Sequence, residues 1–387
     1  MPIILWKRYQ GIFSIILITL VYIILSYISY TKYGVKVVSD SPRYIEYAQE
    51  LLSQPFYWHK HQSKYLGYVL FLMFLFKGGL SVKSVIIVQY IVTYLSIIIF
   101  YKSINIVLKS KSISLAFTIL YLCNFEVIYW NSYILCESFY TAFIIFSLYA
   151  FLIYHYEDKK ILLPIILFTI IIKPTGIAIL LSFLLYVFLV KSNLSNNRKT
   201  MFFVILFILF VILSRIYLRS FNVISEYVRG EVVYAVSIYK SIIQQFPYLV
   251  IENKNIKIPP EHLLTFDRII LFIVENPIYW LKLFFRKLFF YILHIRPYWS
   301  NFHNINSLIV LLPCYALIIF RLIKVGVNRK DIVLIGLIFL NSLIVSCTIV
   351  DWDGRFFMPI YPIIILCTAE GYSILKENIT VFIKERI

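Results

Sequence analysis

An all-α polytopic membrane protein is the fold class that this sequence predicts, on three observations: 61% of its 387 residues are hydrophobic, only 14% are charged, and its mean hydropathy is +0.84. Soluble domains do not reach such values. The first apolar run, Gly11 to Tyr30, follows Lys7 and Arg8. About 20 helical residues at 1.5 Å each cross ~30 Å of hydrocarbon. The run is too long for a signal-peptide core and lacks a small-residue cleavage site, so it reads as a retained helix.

The formal net charge of +18 does not imply nucleic acid, because the Lys and Arg residues fall in short clusters between apolar runs and form no single basic face. Those clusters read as cytoplasmic segments: Lys7 and Arg8, Lys102 to Lys111, Glu157 to Lys160, Lys191 to Lys199, Arg321 to Lys330, and Lys376, Lys384 and Arg386. The spans between them are then residues 11–30, 84–104, 112–130, 132–154, 161–172, 176–190, 200–217, 305–323, 331–350 and 356–375. That gives about ten crossings with both termini inside. Richness in Ile, Tyr, Phe and Lys fits an AT-rich genome and hints at a bacterium; the plasma (inner) membrane is the expected location.

Residues 31–83 form the first outer loop and 218–304 the longest one. Within the first, Tyr65 to Phe76 reaches only ~18 Å as a helix, so it reads as an interfacial or re-entrant segment. Lys173-Pro-Thr-Gly176 reads as an outer turn, since proline disfavours continuing the helix and glycine permits a tight bend. With no repeat of fixed period and no Gly/Ser linker, one membrane domain over 1–387 is the simplest organisation. The five cysteines are scattered, without a CxxC pair, which argues against a disulfide framework or a zinc site.

The acidic residues test this map, because they were not used to draw it. Asp40 lies in the first outer loop, Glu137 near the outer start of the fourth span, and Asp351-Trp-Asp-Gly-Arg355 in the last outer loop. Lys173 falls on the same face. Polar groups at membrane level are costly and more often functional than decorative. Glu137, within an apolar run, should face a cavity or a cation; Glu126 and Glu370 read as helix-packing charges. His59 and His61 form a His-x-His pair beside Tyr57 and Trp58, but no third ligand accompanies them, so a loop or sugar-lining role is expected. Residues 275–290 open on Pro277 and carry Lys282, Arg286 and Lys287 on one side, as an interfacial helix facing lipid phosphate would; snorkelling cations on a membrane helix are the alternative. Two glycosylation sequons, at Asn193 and Asn378, fall on the expected inside and read as chance matches.

Five motifs in order resemble the polytopic GT-C glycosyltransferases, in the branch of protein O-mannosyltransferases and lipid A aminoarabinose transferases. Asp40 with Tyr44 and Ala48 is similar to the first-loop acid motif, and Tyr65-Leu-Gly-Tyr68 with Gly78-Gly79 to the short-helix stretch that follows it. Leu135-Cys-Glu-Ser-Phe139 resembles the Thr-Glu-Ser-Leu-type helix start, Lys173-Pro-Thr-Gly176 the Arg-Pro-Thr-Gly turn, and Gly354-Arg-Phe-Phe-Met-Pro-Ile-Tyr-Pro362 the closing signature. The chain departs in carrying a single first-loop acid and in placing Lys173 where Arg is usual.

The resemblance implies a GT-C-like bundle that transfers a sugar from a polyprenyl-phosphate carrier to a lipid, glycan or protein acceptor at the periplasmic or extracellular face. Asp40 is then the catalytic base. Glu137, Tyr44, His59, His61, Lys173 and Arg355 line the substrate, and Lys282, Arg286 and Lys287 meet the lipid phosphate. No cofactor is required; a divalent cation is compatible but has no support in the sequence. A flippase of lipid-linked glycan, an O-antigen polymerase or ligase, and a structural assembly subunit are the alternatives. A transporter should show repeated halves with paired broken helices, and none is evident.

Overall fold

The structure is a computed structural model that describes residues 2–384 except 39, 60, 158–161, 192–199, 202, 203, 206, 207, 209, 210, 213, 216, 217, 220, 222, 253 and 254. The expected cytoplasmic segments Glu157 to Lys160 and Lys191 to Lys199, the Asn193 sequon and Arg386 lie wholly or largely outside these. Of the expected span 200–217, the described positions are helical. Among the described residues no strand forms, and extended pairing is limited to isolated bridges Lys36 to Tyr133 and Glu231 to Val250.

In chain order the helices are α1 (Pro2–Tyr33), α2 (Ser41–Ser53), α3 (Leu66–Lys77), α4 (Val82–Leu108), α5 (Lys111–Cys123), the single turn α6 (Glu126–Tyr129), α7 (Cys136–Glu157), α8 (Leu162–Ile172), α9 (Ile177–Tyr186), α10 (Val223–Val228), α11 (Lys240–Gln245), α12 (Thr265–Glu275), α13 (Pro277–Ile292), α14 (Asn301–Val325), α15 (Asp331–Ser346) and α16 (Tyr361–Lys384). Four stretches among the described residues are long and apolar enough to cross a membrane: Tyr9–Tyr33, Val82–Leu108, Cys136–Tyr156 and Asn301–Val325. The pair Lys111–Cys123 and Glu126–Ser132, bent by 69°, makes a fifth if taken as one broken span. Leu163–Ile172, Pro174–Val190 and Asp331–Ser346 are apolar but shorter.

Burial sorts these helices. Only 17% of the apolar window of α1 is buried, and Ile12, Phe13, Ile16, Leu20 and Ile23 stand exposed along it. An outward apolar face of that length suits lipid and not water. α7, 78% buried, is instead a core helix.

The chain divides into two compact units: Met1–Leu181, Pro313–Leu334 and Met358–Ile387 form the first, and Ser182–Leu312 with Ile335–Phe357 the second. In the first, α4 packs along α7, α2 lies on α3, and α3 meets α8. The α3–α8 contact requires glycine at 67, where a Cβ would stand 2.9 Å from the Ile172 amide nitrogen and 3.0 Å from its Cα. A polar knot fixes the chain just before α7. Gln89 accepts from Tyr68 Oη (2.7 Å) and donates to the carbonyls of Asn131 (3.0 Å) and Tyr133 (2.8 Å), while Thr93 bonds the Asn131 side chain (2.6 Å).

Away from that knot, Arg321 reaches Asp331 (2.6 Å) and Glu370 (3.1 Å), and Lys330 also reaches Glu370 (2.8 Å). The Arg321 to Lys330 segment, read from the sequence as a basic cluster between apolar runs, commits its end cations to buried carboxylates, because burial makes an unpaired charge far costlier than a paired one.

In the second unit, Tyr279 of α13 donates to the Tyr227 carbonyl (2.8 Å), and Asn276, at the α12–α13 break, exchanges two 2.9 Å bonds with the Lys257 backbone. The helix does begin at Pro277, as the sequence predicts.

Gly67→Val should force α3 off α8. A loss of about 1–3 kcal/mol is expected from overpacking, read as a lower unfolding temperature of the detergent-solubilised protein; unchanged stability would refute the close contact.

Candidate functional site

Asp40 stands at the N-cap of α2, in a turn held by Ser41 N–H donating to the Val38 carbonyl (2.8 Å) and Val38 N–H donating to Ser41 Oγ (3.0 Å). Its carboxylate makes no capping bond and faces Arg43 at 3.7 Å, with a third of the side chain exposed (31%). Below it Tyr44 is buried, its ring 5.3 Å from that of Tyr65 and 5.5 Å from that of Tyr68. Burial, then the proximity of Cys136, Tyr65, Glu137 and Asp40, raises the Tyr44 hydroxyl well above the usual phenol range. Tyr44 thus lies within electrostatic reach of both the first-loop acid and Glu137.

Around Asp40 the loop gathers cations. Burial pulls Lys64 down to about 8. Burial first, then Lys64, Arg43 and His59, lowers the His61 imidazole, against an opposing pull from Asp40. His59 plays a different part: its Nδ1 accepts the backbone N–H groups of His61 (3.3 Å) and Gln62 (3.2 Å), shaping the loop.

Glu137 lies in the first turn of α7, where the helix dipole favours a carboxylate. Lys173 Nζ donates to Glu137 Oε1 at 3.1 Å, and both side chains are about 96% buried (4% and 3% exposed). The Lys173-Pro-Thr-Gly176 turn brings the cation there: Lys173 is extended, Pro174–Gly176 make one 3₁₀ turn, and Gly176 presses on Thr169 and Ile170. Beside the pair lies a small, partly open cavity of ≈ 10 Å³ whose lining includes Glu126, Trp130, Glu137, Ser138 and Thr141. It has room for about one water molecule, not a sugar. Ser138 Oγ, Thr141 Oγ1 and Trp130 Nε1 are buried there without a hydrogen-bond partner among the described residues.

The second unit separates the three basic residues of α13. Lys282 and Arg286, four apart, are exposed, and Arg286 donates to the Tyr248 carbonyl (2.9 Å). Lys287 shares the inner face with Leu283, Phe290 and Tyr291. It donates to the Thr348 carbonyl (2.6 Å) and sits 5.0 Å from the Tyr227 ring centroid. Burial pulls it down to about 8, against Glu226 and Glu231. One more residue around the helix is about 100°, which turns Lys287 inward although it adjoins Arg286.

Arg355 faces Asp353 (Nε to Oδ1, 3.4 Å) and is one-fifth exposed, whereas Asp351 belongs to Arg296. The fully buried Arg296 guanidinium donates to the carbonyls of Phe290 and Ile295 (both 2.8 Å) and of Asp351 (2.9 and 3.3 Å). Between Asp353 and Arg355, Gly354 adopts φ +80°, and a Cβ there would stand 2.5 Å from His294 Cε1. Sequence reasoning missed Arg296, although a cation between an aromatic run and Pro297 signals a charge that enters the protein with its helix end.

It also missed a buried carboxyl pair. Arg229 Nη2 bridges Glu226 Oε1 (2.5 Å) and Glu231 Oε2 (3.1 Å), and the Ser237 amide donates to Glu231 Oε1 (3.0 Å). Burial, then Glu231, pushes Glu226 up to about 7. Burial also favours the neutral form of Glu231, but hydrogen bonds with Glu226, Ser237 and Arg229 outweigh it and hold that carboxyl down at about 2.

Comparison with protein-family models, curated proteins and solved structures gives no match.

Lys173→Met strands the Glu137 charge in the interior, so a loss of about 3–5 kcal/mol is expected. Adding Glu137→Gln should restore much of it in a double-mutant cycle; additive losses would show that the pair is not coupled. The sign for Glu226 follows from its raised value: between about pH 4.5 and 7 the folded state keeps a proton that the unfolded state releases, so this group's contribution falls as pH rises through that window. Glu226→Gln should flatten the decline and stabilise the protein at pH 7.5, by an amount of order 1 kcal/mol, as read from melting curves at pH 5, 6, 7 and 7.5. Parallel curves for the two proteins would refute it.

Proposed function

We propose that this chain is an integral-membrane glycosyltransferase that moves a sugar from a polyprenyl-phosphate carrier to a lipid, glycan or protein acceptor at the outer membrane face. One observation carries the reading: a partly exposed carboxylate, Asp40, caps the helix that buries Tyr44, pairs with Arg43 and lies within electrostatic reach of His61. A general base needs access to substrate and a fixed backbone, and Asp40 has both.

In this mechanism Asp40 accepts the acceptor hydroxyl proton as that oxygen attacks the anomeric carbon. The bond to the carrier phosphate breaks and the configuration inverts. The departing phosphate carries away the negative charge and needs cations, not a proton. Lys282, Arg286 and Arg355 have exposed surface to offer, while Lys287 is committed to the Thr348 carbonyl. A monophosphate donor does not demand a metal. Glu137 and Lys173, locked together, act through the ground they hold under Tyr44 and not by touching the sugar. The ten-crossing topology with cytoplasmic termini belongs to the same reading, and the three shorter apolar helices support it alongside the long ones.

Purified protein given a panel of undecaprenyl-phosphate sugars should turn over at least one, and Asp40→Asn should lose roughly 10²–10⁴-fold in rate with donor binding kept. Equal rates would remove Asp40 from the chemistry. No turnover of any donor would favour a transporter or an accessory subunit.

A further inference from the structure

Between α2 and α3 the loop carries three consecutive aromatic residues, Phe56-Tyr57-Trp58, and the chain holds them outward. Phe56 has φ +76°, a conformation that favours glycine, while its side chain is 98% exposed. Trp58 is 70% exposed. A non-glycine residue in that region is strained, and strain persists only where the surroundings enforce it. Here the enforcing bonds are visible: Gln54 N–H donates to the Glu50 carbonyl (2.7 Å), Tyr57 N–H to the Gln54 carbonyl (3.1 Å), and the hydroxyl of buried Tyr47 to the Tyr57 carbonyl (3.1 Å). Immediately beyond, the two backbone bonds to His59 Nδ1 stiffen the return of the chain. The scaffold spends conformational strain on keeping two large apolar rings out of the protein.

We infer that Phe56-Tyr57-Trp58 is a membrane-interface anchor, seated at the boundary between lipid headgroups and acyl chains, that fixes the height of α2 and its Asp40 turn. Three features select lipid as the occupant. α3, on which α2 packs, is apolar but has only 12 residues, too few to cross a bilayer, and it exposes Phe74; such a helix lies at the membrane boundary and brings the neighbouring tip to that level. The apolar surface continues from the tip onto α2 through the exposed Leu52. Phe56, the most exposed of the three, offers no hydrogen-bonding group, whereas the flanking Tyr and Trp pair an apolar body with a polar tip, the combination that favours membrane interfaces. The inference does not depend on the transferase reading.

The test uses the full chain in nanodiscs with Cys123→Ser and Cys347→Ser, leaving the buried cysteines in place. An environment-sensitive fluorophore is attached at Phe56→Cys, at Trp58→Cys, or at Glu46→Cys on the exposed side of α2. Labels at 56 and 58 should be blue-shifted, quenched by lipid carrying a nitroxide near the headgroup, and shielded from aqueous iodide at least fivefold relative to the label at 46. Iodide access at 56 and 58 equal to that at 46 would overturn the inference. So would shielding that appears only on adding soluble oligosaccharide, which would mark a glycan platform, or only in discs holding two copies, which would mark self-contact. Two labelled positions guard against a single local perturbation, and the test reads no turnover.

Discussion

The buried Glu137–Lys173 pair is the constraint on which the first unit depends. Neither charge tolerates the interior alone, so the start of α7 and the turn after α8 must meet at a distance that a hydrogen bond can close. That meeting sets the end of α8 at Ile172, against which the bare backbone of Gly67 seats α3. α3 in turn carries α2, with Tyr44 packed against Tyr65 and Tyr68. The position of a partly exposed carboxylate is thereby traceable, contact by contact, to an ion pair buried in the same unit.

The second unit solves a related problem with the charges reversed. Where the chain leaves α15, the carbonyls of Thr348 and Asp351 lack helical partners, and a non-aqueous environment makes an unsatisfied carbonyl expensive. Lys287 and Arg296 supply the missing donors. Their positive charge serves the backbone. A cation count alone would assign both to a ligand.

Much of the architecture was legible because its physics is local. Apolar runs announce helices, Pro277 marks the start of α13, and Lys173-Pro-Thr-Gly176 announces a turn between two short apolar helices. Glu137 could be recognised as a charge requiring a partner, and its partner is among the residues singled out. What could not be read depended on rotation and distance in the sequence. Lys287 differs from Arg286 by one position and by a buried face. Asp351 and Asp353 both lie within one short loop of Arg355, yet Arg296, far off in sequence, takes the first of them. The Glu226–Glu231 pair is invisible to a reading centred on apolar spans, because its meaning comes from a shared arginine.

The Arg321, Asp331, Lys330 and Glu370 network has a consequence for biogenesis. Glu370 belongs to α16, which follows Arg321 and Lys330 in the chain, so during synthesis the two cations emerge well before the carboxylate that joins them. Asp331 can neutralise Arg321 at once, but Lys330 must wait. Until then it is a cation beside the start of α15 whose carboxylate has yet to be made. Only when α16 arrives does that cation close onto a buried carboxylate, so the contact that locks the two segments together is also among the last to form.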